Sequence, residues 1–315
     1  MNPLSAIYGL GAASRNRLYD RGTLRSRRLS RPVISVGNIS VGGSGKTPFV
    51  LLLGDLLRER GIKFDVLSRG YGRETRGVLP VNPEGSAREF GDEPLLIAKR
   101  LKCPVIVGQS RYEAGLYAER HFGSAFHILD DGFQHRSLAR DFDIVLLTPE
   151  DLHDQMLPIG RLREPLSSLH RADVIVLPEE IEPGTFPPPK RVWRVRRTLQ
   201  LPEAVSPRNP VAFCGIARPR KFIEQLRQLG IRPVAERFYR DHHKYTSADV
   251  ESLVALLDRH RADGYITTEK DAINLGEHAV RLPLATIARA HMELINAADA
   301  LDTMLRLVAE RRSKA

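Results

Sequence analysis

A short β-branched run, Val33-Ile34-Ser35-Val36, leads into Gly37-Asn38-Ile39-Ser40-Val41-Gly42-Gly43-Ser44-Gly45-Lys46-Thr47-Pro48, and a helical pattern follows. This order of strand, glycine-rich turn and helix is the context a Walker A loop requires, and it constrains the chain more than any other feature. The glycines let consecutive backbone N–H groups turn inward around phosphate oxygens, and the helix N-terminus adds positive potential. Ser40, Val41, Gly42, Gly43, Ser44, Gly45, Lys46 and Thr47 are therefore assigned to a nucleoside triphosphate. Lys46 would reach the β- and γ-phosphates, and the Thr47 hydroxyl would ligate Mg²⁺. The strict pattern has Gly five residues before Gly45, whereas this chain has Ser40. The lysine of the deviant ATPase loops would fall at position 41, which is Val41.

From residue 32 the pattern repeats strand, turn, helix. Val33–Val36, Phe64–Leu67, Val105–Val107, Phe126–Leu129, Ile144–Leu147 and Val174–Leu177 read as buried strands alternating with helical stretches. That alternation predicts an α/β fold, a mostly parallel sheet flanked by helices. A Pro- and Glu-rich segment, Glu179–Lys190, then reads as a stiff connector. After it, Val192–Gln200 reads as an extended linker strand, with Trp193 and Val195 on one side and Arg194 and Arg196 on the other. A second, smaller α/β unit follows, with strands at Val211–Cys214 and Tyr265–Thr267 and a helix around Phe222–Leu229. Thr246 with Asp249 three residues later reads as a capping box. Leu301, Met304, Leu305 and Val308 mark one face of a C-terminal helix expected to pack back on the first unit. The division is 1–31, 32–180, a hinge over 181–205, and 206–315.

The 315 residues carry 48 Lys+Arg against 38 Asp+Glu, a net charge of +10, and 42% are apolar, enough for a real core. Two cysteines, Cys103 and Cys214, exclude a disulfide framework and fit a reducing compartment. No run approaches the roughly 18 consecutive apolar residues of a spanning helix. Seven arginines against Asp20 put six of the ten positive charges in residues 1–31. The first fourteen residues are uncharged, and Leu4, Ile7 and Leu10 fall on one side of a helix whose later turns are basic. Positive charge after the apolar stretch is the wrong order for a secretory signal. The residues leave two readings level: an interfacial helix on anionic headgroups, or a helix packed on its own domain. Nucleic acid ranks last, because aromatics are only 6% and no reading motif is present.

A phosphate-loop enzyme needs a carboxylate at a strand end to orient Mg²⁺. Asp130 and Asp131, after Phe126–Leu129, supply two. Asp92 in Gly91-Asp92-Glu93-Pro94 reads first as the N-cap of a helix. Asp241-His242-His243 precedes the Thr246 cap; adjacent histidines in extended chain point apart, so one could serve proton transfer but the two do not make a metal site. Thr267-Thr268-Glu269-Lys270-Asp271 resembles the base-reading motif of GTPases only weakly, because the Lys–Asp spacing is wrong.

Taken in order, seven segments resemble the tetraacyldisaccharide 4′-kinase family. They are Val36 to Pro48, Ser68-Arg69-Gly70-Tyr71-Gly72, Gly91-Asp92-Glu93-Pro94, Asp130-Asp131-Gly132-Phe133-Gln134-His135, Leu162-Arg163-Glu164-Pro165, Asp241-His242 and Thr268-Glu269-Lys270-Asp271. The family tolerates Ser or Thr at the irregular first loop position. The resemblance implies ATP-dependent phosphorylation of the 4′-hydroxyl of a tetraacylated glucosamine disaccharide 1-phosphate, an anionic glycolipid. It implies a two-domain P-loop fold that closes through a hinge, with an N-terminal helix on the cytoplasmic face of the bacterial inner membrane; a monomer is expected. By resemblance, Asp92, helped by His242, draws the proton from the acceptor hydroxyl; Asp130 and Asp131 belong to the Mg²⁺–ATP site; Glu93, Arg163 and Glu164 line the cleft. With an anionic lipid as substrate, the membrane reading of residues 1–31 becomes the favoured one. Two alternatives remain at this level: a membrane-docking P-loop GTPase, and a P-loop kinase of a soluble metabolite.

Overall fold

The computed structural model describes residues 3–181, 191–202, 207–282 and 285–314. Most of the connector over Glu179–Lys190 therefore lies outside the described residues.

The strands are β1 (Val33–Asn38), β2 (Phe64–Ser68), β3 (Leu79–Pro80), β4 (Val105–Val107), β5 (Phe126–Asp130), β6 (Phe142–Leu146), β7 (Val174–Pro178), β8 (Val192–Gln200), β9 (Pro210–Cys214), β10 (Ala235–Phe238), β11 (Gly264–Thr268) and β12 (Ala285–Leu294). They form one sheet in the order β10-β9-β11-β12-β8-β7-β6-β1-β5-β2-β4-β3. Two pairings are antiparallel, β3 with β4 and β8 with β12; the others are parallel. The six strand runs expected for the first unit all form strands.

Parallel strands covered on both faces read as continuous apolar runs. In β1, Ile34 and Val36 enter one core with the helix α2 (Lys46–Glu59), while Val33 enters another with α5 (Arg111–His121). β6 and β7 divide likewise: Phe142, Ile144, Leu146, Val174 and Val176 face one way, Val145, Leu147, Ile175 and Leu177 the other. The second half repeats the device. Ala212 and Cys214 pack on α6 (Pro219–Gln228), and Val211 and Phe213 pack on the side of α7 (Ser247–His260). The Thr246–Asp249 capping box that opens α7 is present.

β8 and β12 join the two halves. β8 pairs with β7 through Val192–Val195 and with β12 through Val195–Gln200. β12 pairs with β11 through Ala285–Ala288 and with β8 through Arg289–Leu294. Each strand also changes core along its length: Trp193, Val195, Met292 and Leu294 belong to the first, Leu199 and Ala288 to the second. The linker strand expected over Val192–Gln200 is thus half of a two-stranded ribbon. Its expected sidedness also appears, with Trp193 and Val195 buried and Arg196 exposed.

The remaining helices are α1 (Pro3–Asp20), α3 (Ala87–Phe90), α4 (Asp92–Leu101), α8 (Glu269–Leu275) and α9 (Ala297–Ser313). α9 packs back on the first core through Leu301, Met304 and Val308, and Arg311 forks onto Asp173 at 2.5 and 2.9 Å.

Candidate active site

β1 lies between β5 and β6, while the chain itself runs from β1 to β2 on the far side of β5. Such a reversal leaves a crevice at the carboxyl ends of the central strands, where open α/β sheets bind ligands. The phosphate loop occupies it. Gly42, Gly43 and Gly45 have φ of +76°, +57° and +87°, values that side chains disfavour. Ser40 is buried and its hydroxyl accepts from Asn38 Nδ2 at 3.3 Å. The Val41 N–H donates to Arg161 O at 2.8 Å, so that amide is already committed within the protein. Ser44 is buried with an unpartnered Oγ, and half-buried Thr47 sits in the first turn of α2.

Lys46 Nζ donates to Asn38 Oδ1 at 3.1 Å and lies 3.5 Å from Asp131 Oδ1. Arg163 holds Asp131 in a fork of 2.8 and 2.9 Å and also donates to Asn38 Oδ1. Burial opposes the charge on Asp131, but Lys46 and Arg163 overcome it and hold this carboxyl well below the usual range. Its neighbour behaves in the opposite way. Burial first, then the charges of Glu93 and Asp131, push Asp130 up to about 7 against Lys46 and a Ser68 hydrogen bond. Asp130 Oδ1 is buried without a partner. An orphaned carboxylate oxygen beside a phosphate loop fits a bound divalent cation, which would supply the missing charge. Among the described residues no three His, Cys, Asp or Glu side chains form a cage. Mg²⁺ needs no such cage, since it takes one or two carboxylates and completes its shell with phosphate and water.

Asp92 is not the N-cap. Gly91, at φ +89°, occupies that position, and Asp92 begins α4 with its carboxylate accepting from the Glu93 N–H at 2.9 Å. The left-handed turn at Gly91 is what frees Asp92 to face inward, where it is 5% exposed. Its oxygens meet His242 Nδ1 at 2.9 and 3.0 Å and Asn274 Nδ2 at 3.0 Å. Asp92 comes from the first half, and His242 and Asn274 from the second. Burial works against both charges, yet the contact wins: Asp92 is held below its usual pKa and His242 above its own.

The two adjacent histidines separate cleanly. His242 has φ +58°, which turns its ring to Asp92, with the Tyr71 ring 5.1 Å away. His243 instead lies 3.1 Å from Asp249 Oδ2 and stacks on Tyr239 at 4.5 Å. Glu164 departs from the cleft assignment. It is 3% exposed and takes Arg171 at 2.8 Å and Asn16 of α1 at 2.6 Å, which makes it an anchor for α1.

Sequence reasoning missed several participants. Asn38 is the acceptor shared by Lys46 and Arg163, and its signal was its position at the end of β1. Lys270 lies 3.6 Å from Glu93 Oε1, 3.1 Å from Asp241 Oδ1 and 3.2 Å from His242 Nε2. From the ribbon itself Arg197 donates to Ser44 O at 2.6 Å, and from beyond it Arg218 reaches Thr148 and Glu150 at 3.1 Å. Neither arginine carries a local motif.

The family model for tetraacyldisaccharide-1-P 4′-kinase matches residues 1–309. A tetraacyldisaccharide 4′-kinase of Koribacter versatilis is 53% identical over 99% of this chain and 100% of its own length. One from Aquifex aeolicus is 40% identical over 87% of this chain and 88% of its own. Among solved structures, the Aquifex aeolicus enzyme in complex with ATP superposes with a TM-score of 0.80 at 35% identity, covering 97% of both chains. Matched along nearly its whole length in sequence and in fold, the chain belongs to the tetraacyldisaccharide-1-P 4′-kinase family.

Proposed function

We propose that this protein transfers the terminal phosphoryl group of ATP to the 4′-hydroxyl of tetraacyldisaccharide 1-phosphate, forming the bisphosphorylated lipid A precursor. The observation that carries the mechanism is the Asp92–His242 contact, made by two halves of the chain beside one phosphate loop. Phosphoryl transfer is mainly positioning and charge neutralisation. Lys46 and the amides of the glycine loop would hold the triphosphate, with Asn38 and Arg163 fixing Lys46 and Asp131 in place. Thr47 and Asp130 would hold Mg²⁺, which neutralises phosphate charge when bound; Asp131, already claimed by Arg163 and Lys46, fits an outer role.

A sugar hydroxyl needs its proton taken as it attacks. Asp92 is saturated by the Glu93 amide, His242 and Asn274, so it suits an orienting role. His242 then offers Nε2 as the base, the reverse of the roles implied by resemblance. The pair assembles only when the halves meet, which limits idle hydrolysis of ATP. β8 and β12 would act as the hinge.

Membrane contact rests on α1. Leu4, Ile7 and Leu10 are 58%, 66% and 66% exposed, while Ser5, Arg15 and Asn16 bind the body through Met156 O, Gln134 O and Glu164. No helix among the described residues is long and apolar enough to cross a membrane. One side of α1 is thus anchored and the other is exposed, which supports peripheral attachment to a membrane surface; the cytoplasmic face of the inner membrane follows from the family resemblance.

The test is incubation with γ-labelled ATP and a panel of acceptors. We expect label in the lipid phase only with the tetraacylated disaccharide 1-phosphate. Sustained ATP hydrolysis with no labelled lipid would overturn the assignment, and transfer to a soluble sugar would move the acceptor class.

A further inference from the structure

The ring of His242 is bracketed by groups of opposite kind. Nδ1 lies 2.9 Å from Asp92 Oδ2, and Nε2 lies 3.2 Å from Lys270 Nζ. An ammonium has three donors and no acceptor. The second contact is therefore a hydrogen bond only when Nε2 carries the lone pair and Nδ1 carries the proton. Resting on the kinase reading above, we propose that Lys270 is a positioning residue for His242: it holds the Nε2-unprotonated tautomer and covers that lone pair until the acceptor hydroxyl takes its place.

The surroundings make this exchange feasible. Lys270 Nζ lies 3.1 Å from Asp241 Oδ1, 3.6 Å from Glu93 Oε1 and 3.8 Å from Asp92 Oδ2. Burial works against its charge, but these carboxylates prevail and keep it an ammonium. It can therefore leave Nε2 and remain paired with Asp241 and Glu93. In the transfer step the hydroxyl O–H bond breaks as oxygen bonds to the γ-phosphorus. The proton forms an N–H bond at Nε2, ADP departs with the electron pair of the broken P–O bond, and Lys270 keeps its protons.

Every charged or titratable neighbour of His242 bears on the outcome. From α4 come Asp92 and Glu93; from α8 comes Lys270, with Asn274 acting through Asp92. From its own loop comes Asp241, 3.9 Å from Nε2, and the Tyr71 ring lies beside it. Burial lowers the pKa of His242, the Asp92 contact and Glu93 raise it, and Lys270 lowers it again; the net is upward. Lys270 is the cation that keeps a base paired with Asp92 from retaining its proton too tightly.

The experiment is a pH titration of ¹⁵N-histidine-labelled full-length protein without substrates, with His242 identified by its loss in His242→Gln. In wild type the neutral ring is expected to be protonated on Nδ1. Lys270→Gln is expected to raise the His242 pKa by about one pH unit, and Lys270→Arg to hold it near wild type. The acidic limb of the kcat/KM profile should move upward with it. A neutral wild-type ring protonated on Nε2 overturns the proposal, as do wild-type and Lys270→Gln curves that superimpose. If Lys270→Gln does not fold, the proposal can still be refuted, by an Nε2-protonated wild-type ring or by a His242 pKa in Lys270→Arg that departs from wild type. Absent lipid phosphorylation by wild type would instead sink the kinase reading and leave the titration result standing.

Discussion

At φ +58°, His242 stands in the left-handed region, which costs a side-chain-bearing residue about 1 kcal/mol or more. The backbone holds it there by donating the His242 N–H to Gly215 O at 3.2 Å, and the twist aims the imidazole at Asp92 while its neighbour goes to Asp249. We therefore expect His242→Gln and Asp92→Asn each to lower kcat by about 10²- to 10⁴-fold while a fluorescent ATP analogue still binds. Retained turnover in folded variants would remove the pair from the chemistry. The pH signs oppose one another. Stabilisation from the raised His242 pKa is complete below the unfolded value and fades as pH rises through the folded one, whereas the base works only above it. Activity should thus rise with pH over the range in which the cross-cleft ion pair weakens, checked by parallel kinetic and thermal-melt profiles. The residues by themselves left His242 and His243 open and only the family's Asp-His motif pointed to His242, because the physical choice depends on one dihedral and on a carboxylate 150 residues away.

The phosphate loop and the ribbon act as elements on one another. A Cβ added at Gly43 would stand 2.8 Å from Arg218 Nε, and one at Gly45 would stand 3.0 Å from the Arg197 guanidinium. The second half therefore packs on the outer face of the loop, and the glycines serve that approach as well as the loop's own turn. Burial, then the charge of Arg218, pushes Arg197 down to about 10. Two cations at the N-terminal end of α2 oppose its dipole unless an anion lies in the loop. Gly43→Val should then cost about 1–3 kcal/mol of stability, because it combines a strained φ with displacement of Arg218. It should also weaken ATP-analogue binding more than tenfold; calorimetry and fluorescence titration check the two effects. The loop itself was legible because its signal is contiguous. β12 was not: Ala285–Leu294 alternates small, charged and apolar residues, and its place is set by two partners, β11 and β8, far apart in sequence.

For the whole molecule, the antiparallel seam of β8 and β12 lets two parallel α/β halves share one sheet while their loops converge on Asp92 and His242. Salt bridges reinforce the approach: Arg100–Glu269 at 2.5 Å, Lys244–Glu74 at 3.0 Å and Arg218–Glu150 at 3.1 Å. Such partly exposed pairs contribute little individually. At the other end α1 presents its apolar residues to solvent. Replacing Leu4, Ile7 and Leu10 together by Ser should leave ATP binding intact and reduce co-sedimentation with anionic vesicles several-fold, and high salt should weaken wild-type binding too. Unchanged binding under both treatments would refute the lipid-facing role. What the sequence determined by itself was local: the strand–loop–helix of the nucleotide site, the apolar strand runs and the Thr246 capping box. Each depends on residues within a few positions of one another, so propensity and spacing suffice. Only tertiary structure decided that Gly91 rather than Asp92 caps α4, that Glu164 anchors α1, and that Lys270 sits on His242. Those outcomes turn on contacts between groups up to 182 residues apart, and only packing and electrostatics of the folded chain bring them together.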